Sequence, residues 1–480
     1  MATKQLAKWA LNLSPSSLPS SVTAAARRSL YNYIGCAIGG SHHPTVTKAW
    51  NALHPFGGEP QQALRLGAPQ RTNAQLACLL NGIASHVHDY DDTHLATIIH
   101  PTGPVASACL AWAEYAGKLI TGPELLTALV AGIETSCKLG LSVWPTHYDI
   151  GWHITSTTGS IGAAVAVGKL RNLSESQMAH AIGLAAVQVT GLRAMFGSDP
   201  KSFHVGQAAQ AGFTAAVLAG PGGEYTSSTE ALEARRGWGN VVAGGGEVKL
   251  EKYIGELGQV WEVERNAFKP FPCGIVAHPA IDGCIQLYKE LKLYEISARK
   301  KQRIDQIRKL HMRVHPLVLE LTSNRRPKDG LEGKFSVQHG CAVGLLYGKA
   351  GPAQYTDEVV TSEEVRRLRN KCVMKSDQSL RPDEAVIEVS FIQAKSVEKH
   401  VEHAIGSLEV PMTNQQLGNK FIDQCTPVLG DRTREISELS WDIGQAPNVL
   451  DIIQRIRGRT PARDQDSSEY FYDSGSMRLA

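Results

Sequence analysis

The stretches STTGSIGAAVAVGKL (residues 156–170) and VGQAAQAGFTAAVLA (residues 205–219) indicate the fold class of this chain. Both are rich in Ala and Gly and contain none of the clustered turn residues that separate strands. Glycine within a helix lowers helix propensity, so its repeated use predicts that close packing between helices offsets the loss. The two stretches therefore predict a compact body that is mainly α-helical.

Helix start signals recur on both sides of these stretches. A capping box joins a Ser or Thr to a Glu or Gln three residues later and often precedes an apolar run. Segments of this form include 121–124 (TGPE), 174–177 (SESQ), 227–230 (SSTE) and 413–416 (TNQQ). Each predicts that a helix begins there, and together they extend the helical pattern over most of the chain.

The pattern changes near residues 268–272 (FKPFP). The stretches 309–321 (KLHMRVHPLVLEL) and 385–392 (AVIEVSFI) have the β-branched character of strands, whereas 334–346 (KFSVQHGCAVGLL) is helical in pattern. Residues 395–403 fit a turn and a returning strand. The predicted fold is mainly α, with a large all-helical domain (1–265 plus 411–460), an inserted, smaller α+β lid domain (266–410) and a polar C-terminal tail (461–480).

Bulk composition excludes several classes of partner. The 480 residues carry a net charge of only +3, so no nucleic-acid partner is expected, and no apolar run is long enough for a membrane span. Nine cysteines without a C-x-x-C pair argue for buried thiols in a reducing compartment. A cytoplasmic location is expected. Mitochondrial import is the alternative, because the N-terminal segment is basic and Ser-rich, with Glu59 as its first acidic residue.

The densest polar cluster is ASHVHDYDDTHLATIIHPTGP, residues 84–104. It could bind a metal, form a structural polar loop, or handle protons and orient a substrate. The order HVHDYD does not match the H-x-H-x-D-H pattern of binuclear zinc hydrolases, and H-E-x-x-H is absent from the sequence, so no metal is expected. Because imidazoles exchange protons near neutral pH and adjacent carboxylates tune them, the acid–base interpretation is favoured.

Further polar residues lie at predicted helix starts and at the domain junction. His153 precedes the stretch 156–170, where free backbone N–H groups can hold an anion. Lys201 and His204 precede the stretch 205–219, and a lysine there can bind a carboxylate. Lys269 and His278 flank the segment KPFPCGIVAH at the junction, where ligand clefts concentrate. Each signal is weak alone; their recurrence predicts one shared site.

Taken in order, several of these motifs resemble the MmgE/PrpD family, over about residues 6–421. The motifs are HDYDDTH (88–94), HPTGP (100–104), GWHITSTTG (151–159), KSFHVG (201–206), KPFPCGIVAH (269–278) and GLEGKFSVQH (330–339). The resemblance implies a helical domain closed by an α+β lid, an active site between the two, and a homodimer. It also implies a lyase that needs no cofactor and acts on a small di- or tricarboxylic acid. The reaction is either decarboxylation of a cis-aconitate-like acid or dehydration of a 2-methylcitrate-like one.

The resemblance also implies roles for individual residues. Matching motifs place the family's active-site groups on these positions: Asp89, Thr93, His100, His153, Lys201 and His278. With the residue chemistry, this predicts a catalytic set of Asp89, His100, His153 and His278, and a substrate-binding set of Thr93, Lys201, His204 and Lys269. The gap between Thr93 and His100 is longer than in the family's animal decarboxylases, and the Asn-Asp-Thr-Trp form associated with its methylcitrate dehydratases is absent. The substrate therefore stays open.

Two other functions fit the same residues. An epimerase or isomerase would abstract a proton from a dicarboxylate without eliminating anything. A protein without catalytic activity would bind a metabolite or a metal through the same groups.

Overall fold

A computed structural model describes residues 1–293 and 304–458 of the chain. The fold is mainly α, as predicted, and the strands form only small sheets. The predicted polar tail at 461–480 lies outside the described residues.

The helices begin where the sequence supplies caps. The capping boxes at 121–124, 174–177 and 413–416 start α6, α9 and α19, and in each the Ser or Thr side chain accepts a backbone N–H. The helices before residue 260 are α1 (Ala2–Asn12), α2 (Ser20–Gly40), α3 (Pro44–Leu53), α4 (Ala74–His86), α5 (Thr102–Tyr115), α6 (Gly122–Val143), α7 (Thr146–Ile150), α8 (Ile154–Leu170), α9 (Glu175–Ala186), α10 (Asp199–Ala219), α11 (Trp238–Val242) and α12 (Leu250–Gly255). The later helices are α13 (His278–Glu290), α14 (Pro316–Thr322), α15 (Gly330–Gly333), α16 (Val337–Tyr347), α17 (Asp357–Thr361), α18 (Glu363–Arg369), α19 (Asn414–Leu429), α20 (Thr433–Asp442) and α21 (Leu450–Ile453).

Within residues 1–293 and 304–458, the strands pair in three small sheets. They are β1 (Ala63–Leu64), β2 (Arg71–Thr72), β3 (Asp92–His94), β4 (Asn266–Phe268), β5 (Ile307–Val314), β6 (Cys372–Ser376), β7 (Ala385–Phe391) and β8 (Val397–Val401). The largest sheet has the order β6-β5-β7-β8, with β5 parallel to β6 and the other pairs antiparallel. The strand predicted over 309–321 ends early, because the His315 side chain accepts the N–H of Leu317 and so caps α14.

Two large hydrophobic cores, with three smaller clusters beside them in the described part of the chain, support these elements. The larger one draws on residues between 2 and 268 and again between 412 and 456, so α19 packs on α2, where Tyr31 stacks on Phe421 with ring centroids 4.9 Å apart. The smaller one lies between residues 271 and 401, under the four-stranded sheet. The domain boundaries themselves remain predictions.

One predicted helix is absent from its place. The box at 227–230 does not start a helix over 231–238; this segment forms turns, and α11 begins only at Trp238. Glu233 accepts hydrogen bonds from the backbone and hydroxyl of Thr3, which fastens the segment to α1. The N–H of Gly237 closes a turn onto Ala234, so local turns and the contact with α1 override the helix signal.

Helix α6 lies at the centre of the larger core. By length and composition alone it could cross a membrane, but 94% of its apolar window is buried inside the protein. It also carries Glu134 and Lys138, whose side chains are completely buried. Burial of this extent is typical of a core helix in a large helical body.

Helices α4 and α10 cross at a pair of glycines, and this crossing positions the site. A Cβ placed on Gly206 would lie 2.2 Å from the carbonyl oxygen of Leu79, and one on Gly82 would lie 2.5 Å from the Cα of Gly206. The two backbones therefore touch. The contact fixes the end of α4, which leads into the polar cluster, relative to the start of α10, which carries Lys201.

Replacing Gly206 by Ala should lower the free energy of unfolding by about 1–3 kcal/mol, because the added methyl group has to push two backbones apart. Urea unfolding followed by circular dichroism measures the effect. Gly255→Ala is the matched control: a Cβ there meets nothing within 4 Å, so this change should be neutral or slightly stabilising. Equal effects of the two substitutions would contradict the close crossing.

Candidate active site

The polar cluster leaves α4 through an unusual backbone turn. Helix α4 ends at His86, and Asp89 follows with φ +51°, in the left-handed region that Asp tolerates better than most residues. The chain then enters β3, which pairs antiparallel with β4 so that Thr93 lies opposite Ala267. Lys269 follows directly after β4, so this short ladder brings the junction segment against the cluster.

Asp89 joins three segments of the chain. Its Oδ1 lies 2.7 Å from Lys201 Nζ of α10 and 2.6 Å from Lys269 Nζ. Burial alone would raise the pKa of Asp89, but the two ammonium groups hold it well below its ordinary value. One buried carboxylate thus serves two cations, and this end of the site has a surplus positive charge.

A third lysine approaches from the α+β part of the chain. Lys334 is buried, and its Nζ donates to the carbonyl oxygen of Val87 at 2.6 Å. Burial lowers the pKa of Lys334 to about 7, with the charge of Asp89 opposing the shift. The adjacent Phe335 ring packs 5.6 Å from Lys201 Nζ, so the GLEGKFSVQH motif covers the same lysine that Asp89 holds.

His100 has one ring nitrogen committed and the other available. Its Nδ1 lies 2.6 Å from the carbonyl oxygen of Asp92. A carbonyl only accepts, so Nδ1 carries the hydrogen and Nε2 keeps its lone pair. Burial lowers the pKa of His100 to about 3, although Asp91 opposes the shift. The residue is therefore a neutral imidazole whose Nε2 can accept a proton.

Asp91 and His86 support His100 from behind. His86 Nδ1 lies 2.8 Å from Asp91 Oδ2, and His100 Nδ1 lies 3.5 Å from Asp91 Oδ1. The rings of His86 and His100 are 4.7 Å apart. Burial would raise the pKa of Asp91, but the two imidazoles hold it below its ordinary value. This buried carboxylate can stabilise a proton on either ring.

His153 and His204 form a second imidazole pair. His153 caps the start of α8, and its Nδ1 lies 3.1 Å from Nδ1 of His204 on α10. One of these nitrogens must donate and the other accept, so the rings cannot both be charged at this distance. Burial, reinforced by His86 and His204, lowers the pKa of His153 well below its ordinary value.

The remaining predicted residues lie beside these groups. Thr93 is fully buried, and its Oγ1 lies 3.3 Å from His100 Nδ1, so it contacts the His100 ring. His278 starts α13, with its ring against Phe271 and its Nε2 3.3 Å from the carbonyl oxygen of Cys273. Burial, reinforced by the charge of Lys269, lowers the pKa of His278 to about 3. His278 does not line the cavity described next.

The site opens into a cavity of about 360 Å³. Five predicted site residues line it: Asp89, His100, His153, Lys201 and Lys269. The structure adds further lining side chains that the sequence had not marked as site residues: Ile98, Tyr148, Arg193, Phe196, Glu320 and Phe335. Phe335 could have been suggested by its position in the motif GLEGKFSVQH, whereas Arg193 lies on a connection between helices and has no distinctive pattern.

The segment between Thr93 and His100 on the polar cluster is a tight turn. The N–H of His94 donates to the carbonyl oxygen of Ile99 at 2.7 Å, and Ile98 adopts φ +58° at the tip. Thr93 and His100 therefore come together on either side of the turn. Ile98, at the tip of the turn, lines the cavity.

The same cluster contains a donor set of the type that binds metals. Ligand atoms of His86, Asp89, Asp91 and His100 lie within 4.8 Å of one another. However, Asp89 is already bound by two ammonium groups, and Asp91 is held by His86. A divalent ion would have to displace these contacts and lie beside two positive charges. The residues therefore fit proton handling and anion binding better than a metal.

Comparison with known proteins agrees with the motifs. The description "MmgE/PrpD N-terminal domain" matches residues 4–251, and "MmgE/PrpD C-terminal domain" matches residues 271–443. The chain is 26% identical over 484 residues to cis-aconitate decarboxylase of Aspergillus terreus, covering 94% of this chain and 95% of that protein. It is 26% identical to cis-aconitate decarboxylase of Homo sapiens over 76% of this chain and 73% of that protein.

A dehydratase is also similar. The 2-methylcitrate dehydratase of Salmonella typhimurium is 24% identical over 74% of this chain and 73% of its own length. Decarboxylases and dehydratases are both lyases, and the two matched domains together span most of the sequence. The chain therefore belongs to the MmgE/PrpD family.

Proposed function

We propose that this protein is a lyase that decarboxylates a cis-aconitate-like tricarboxylic acid without a bound cofactor. The observation that carries the proposal is the single carboxylate of Asp89 shared by Lys201 and Lys269 at the wall of the cavity. A site with surplus positive charge and neutral imidazoles suits a substrate with several carboxylates. The similarity to a fungal cis-aconitate decarboxylase, which extends over 94% of this chain, favours this substrate over others.

Loss of CO₂ next to a double bond leaves an electron pair on carbon, which the neighbouring carboxylate delocalises. Lys201 and Lys269 would hold that carboxylate and stabilise the charge as it develops; such fixed donors contribute most where water is excluded. The bond between carbon and the departing carboxyl group breaks, the double bond shifts, and the far carbon takes a proton. His100 is placed to deliver that proton after Nε2 has been protonated.

A bound tricarboxylate would itself raise the pKa of the imidazole of His100. Burial and the nearby lysines keep His100 neutral in the free site. Substrate carboxylates bring negative charge beside the ring and raise its pKa, so the ring can take up a proton on binding and return it to carbon. Asp91, placed between His86 and His100, would stabilise the imidazolium.

Dehydration of a 2-methylcitrate-like acid is the second candidate, supported by the similarity to a bacterial dehydratase. It needs a base for the proton beside a carboxylate and an acid for the departing hydroxyl group. His100 and His153, which both line the cavity, would divide these roles. A homodimer and a cytoplasmic location, both expected from the sequence, stay predictions.

Proton NMR of the purified protein with cis-aconitate, 2-methylcitrate and iminodisuccinate tests the proposal. We expect cis-aconitate to give new alkene signals together with an equal amount of CO₂. Dehydration of 2-methylcitrate removes the hydrogen beside its methyl group, so collapse of the methyl doublet to a singlet without gas release would replace decarboxylation by dehydration. Exchange of a substrate hydrogen for deuterium in D₂O, without formation of an alkene or CO₂, would indicate an epimerase instead of a lyase. If none of the three acids binds or reacts, the function is not that of a polycarboxylate enzyme.

A further inference from the structure

Arg193 is fixed at the cavity wall by three contacts. Its Nη1 donates to the carbonyl oxygen of Tyr148 at 2.9 Å, and its guanidinium carbon lies 3.8 Å from the centroid of the Tyr148 ring. Its backbone N–H donates to the carbonyl oxygen of Gly151 at 2.8 Å. The side chain is thus held in one orientation before any ligand arrives, which reduces the entropy lost on binding.

One edge of this guanidinium is unused. Nη1 is committed to Tyr148, whereas Nε is buried and has no hydrogen-bond partner among the described residues. Within 1–293 and 304–458, no carboxylate lies at ion-pair distance from Arg193. The Nε and Nη2 donors of an arginine form a fork that matches a carboxylate, and a buried donor without a partner is costly until one arrives.

Arg193 and the Asp89 lysines occupy different parts of the cavity wall. Lys201 is held by Asp89 and packs between the rings of Phe196 and Phe335, whereas Arg193 stacks on Tyr148. Burial raises the pKa of Tyr148, and the guanidinium opposes the rise. The cavity wall therefore has two cationic positions, the lysines partly neutralised by Asp89 and Arg193, while Glu320 adds a second carboxylate to the lining.

We infer that the free edge of Arg193 binds a terminal carboxylate of the substrate, while Lys201 and Lys269 hold the carboxylate at the reacting end. This inference rests on the proposed function and deepens it by assigning the preference for tricarboxylates over dicarboxylates to Arg193. A lysine at position 193 would keep the charge but lose the two-pronged geometry. Arg193 is thus a specificity-determining residue and takes no part in proton transfer.

Calorimetry with two unreactive acids tests the assignment. Tricarballylate and 2-ethylsuccinate differ in one terminal carboxylate, which is a methyl group in the second. The wild-type protein should bind tricarballylate roughly 10- to 100-fold more tightly, as expected for one charge-assisted, bidentate contact. Arg193→Gln should bring the ratio close to one by weakening tricarballylate only, and Arg193→Lys should restore it in part.

The control is Arg236→Gln, which removes the same charge from an exposed position outside the cavity. It should keep the wild-type ratio. A ratio unchanged in Arg193→Gln, or equal weakening of both acids, would overturn the inference, as would an effect of Arg236→Gln as large as that of Arg193→Gln. If the wild-type protein binds neither acid, the proposed function itself fails.

Discussion

Replacing His100 by Ala should lower turnover of the true substrate by roughly 10²–10⁴-fold, the usual contribution of one general acid–base group. The reason is geometric: the Asp92 carbonyl fixes the hydrogen on Nδ1, so His100 lines the cavity with a free Nε2. Steady-state kinetics with cis-aconitate and 2-methylcitrate measures the effect. The loss should lie in kcat rather than KM, because the lysines and Arg193 hold the carboxylates.

Two measurements separate this role from a structural one. His54→Gln removes an exposed imidazole that stacks on Trp50 and should leave turnover unchanged. Added imidazole should partly restore His100→Ala, because the truncated side chain leaves space beside the cavity. Near-normal kcat in His100→Ala, or a variant that unfolds at much lower urea and is not rescued, would remove His100 from the mechanism.

Replacing Lys138 by Met should lower the free energy of unfolding by about 3–5 kcal/mol, as expected when one partner of a buried ion pair is removed. Lys138 is completely buried in α6, with its Nζ 2.7 Å from Glu262 Oε1. His94 Nε2 lies 3.0 Å from the other oxygen of Glu262. Without the lysine, a carboxylate with about 1% exposure keeps only an imidazole and the outlying Arg265 as partners.

Urea unfolding at several pH values checks this expectation. Burial would raise the pKa of Glu262, but hydrogen bonds from His94 and Lys138 lower it from 4.5 to about 2. A carboxyl whose folded pKa is depressed stabilises above its unfolded pKa and loses this contribution as pH falls toward the folded value. The difference between the wild type and Lys138→Met should therefore shrink between about pH 4.5 and pH 2.

The double variant Lys138→Met with Glu262→Gln is the matched control. It removes both charges, so it should be more stable than Lys138→Met alone. A double variant that is less stable than the single one would show that the ion pair is not the source of the effect.

The sequence predicted the helical part of the fold well, because its signals are local. Capping boxes such as Thr121 with Glu124 act within one turn, and the small-residue stretches at 156–170 and 205–219 are α8 and α10. It failed at 227–238, where a contact between Glu233 and Thr3, far apart in sequence, decides the conformation. Strand β6 was not foreseen, because its pairing with β5 depends on residues more than 60 positions away.

For the candidate site, the sequence indicated which residue types cluster but not which atoms are free. Asp89, Lys201 and Lys269 come from separate segments, and only the fold shows that one carboxylate serves both lysines. Arg193 was missed because an arginine in a loop has no distinctive pattern. Its position is fixed only in the folded protein, where the guanidinium contacts the carbonyl oxygen and the ring of Tyr148. The assigned roles remain predictions until the variants are measured.

The tight turn between Thr93 and His100 holds the proposed proton-handling residue at one end and a cavity-lining residue at its tip. Both ends of the turn are anchored by their own hydrogen bonds, to each other and to Asp92, whereas Ile98 at its tip lines the cavity. A change of side-chain size at position 98 is therefore expected to reshape the pocket without moving His100, so that the choice of acid can be altered separately from the proposed proton transfer.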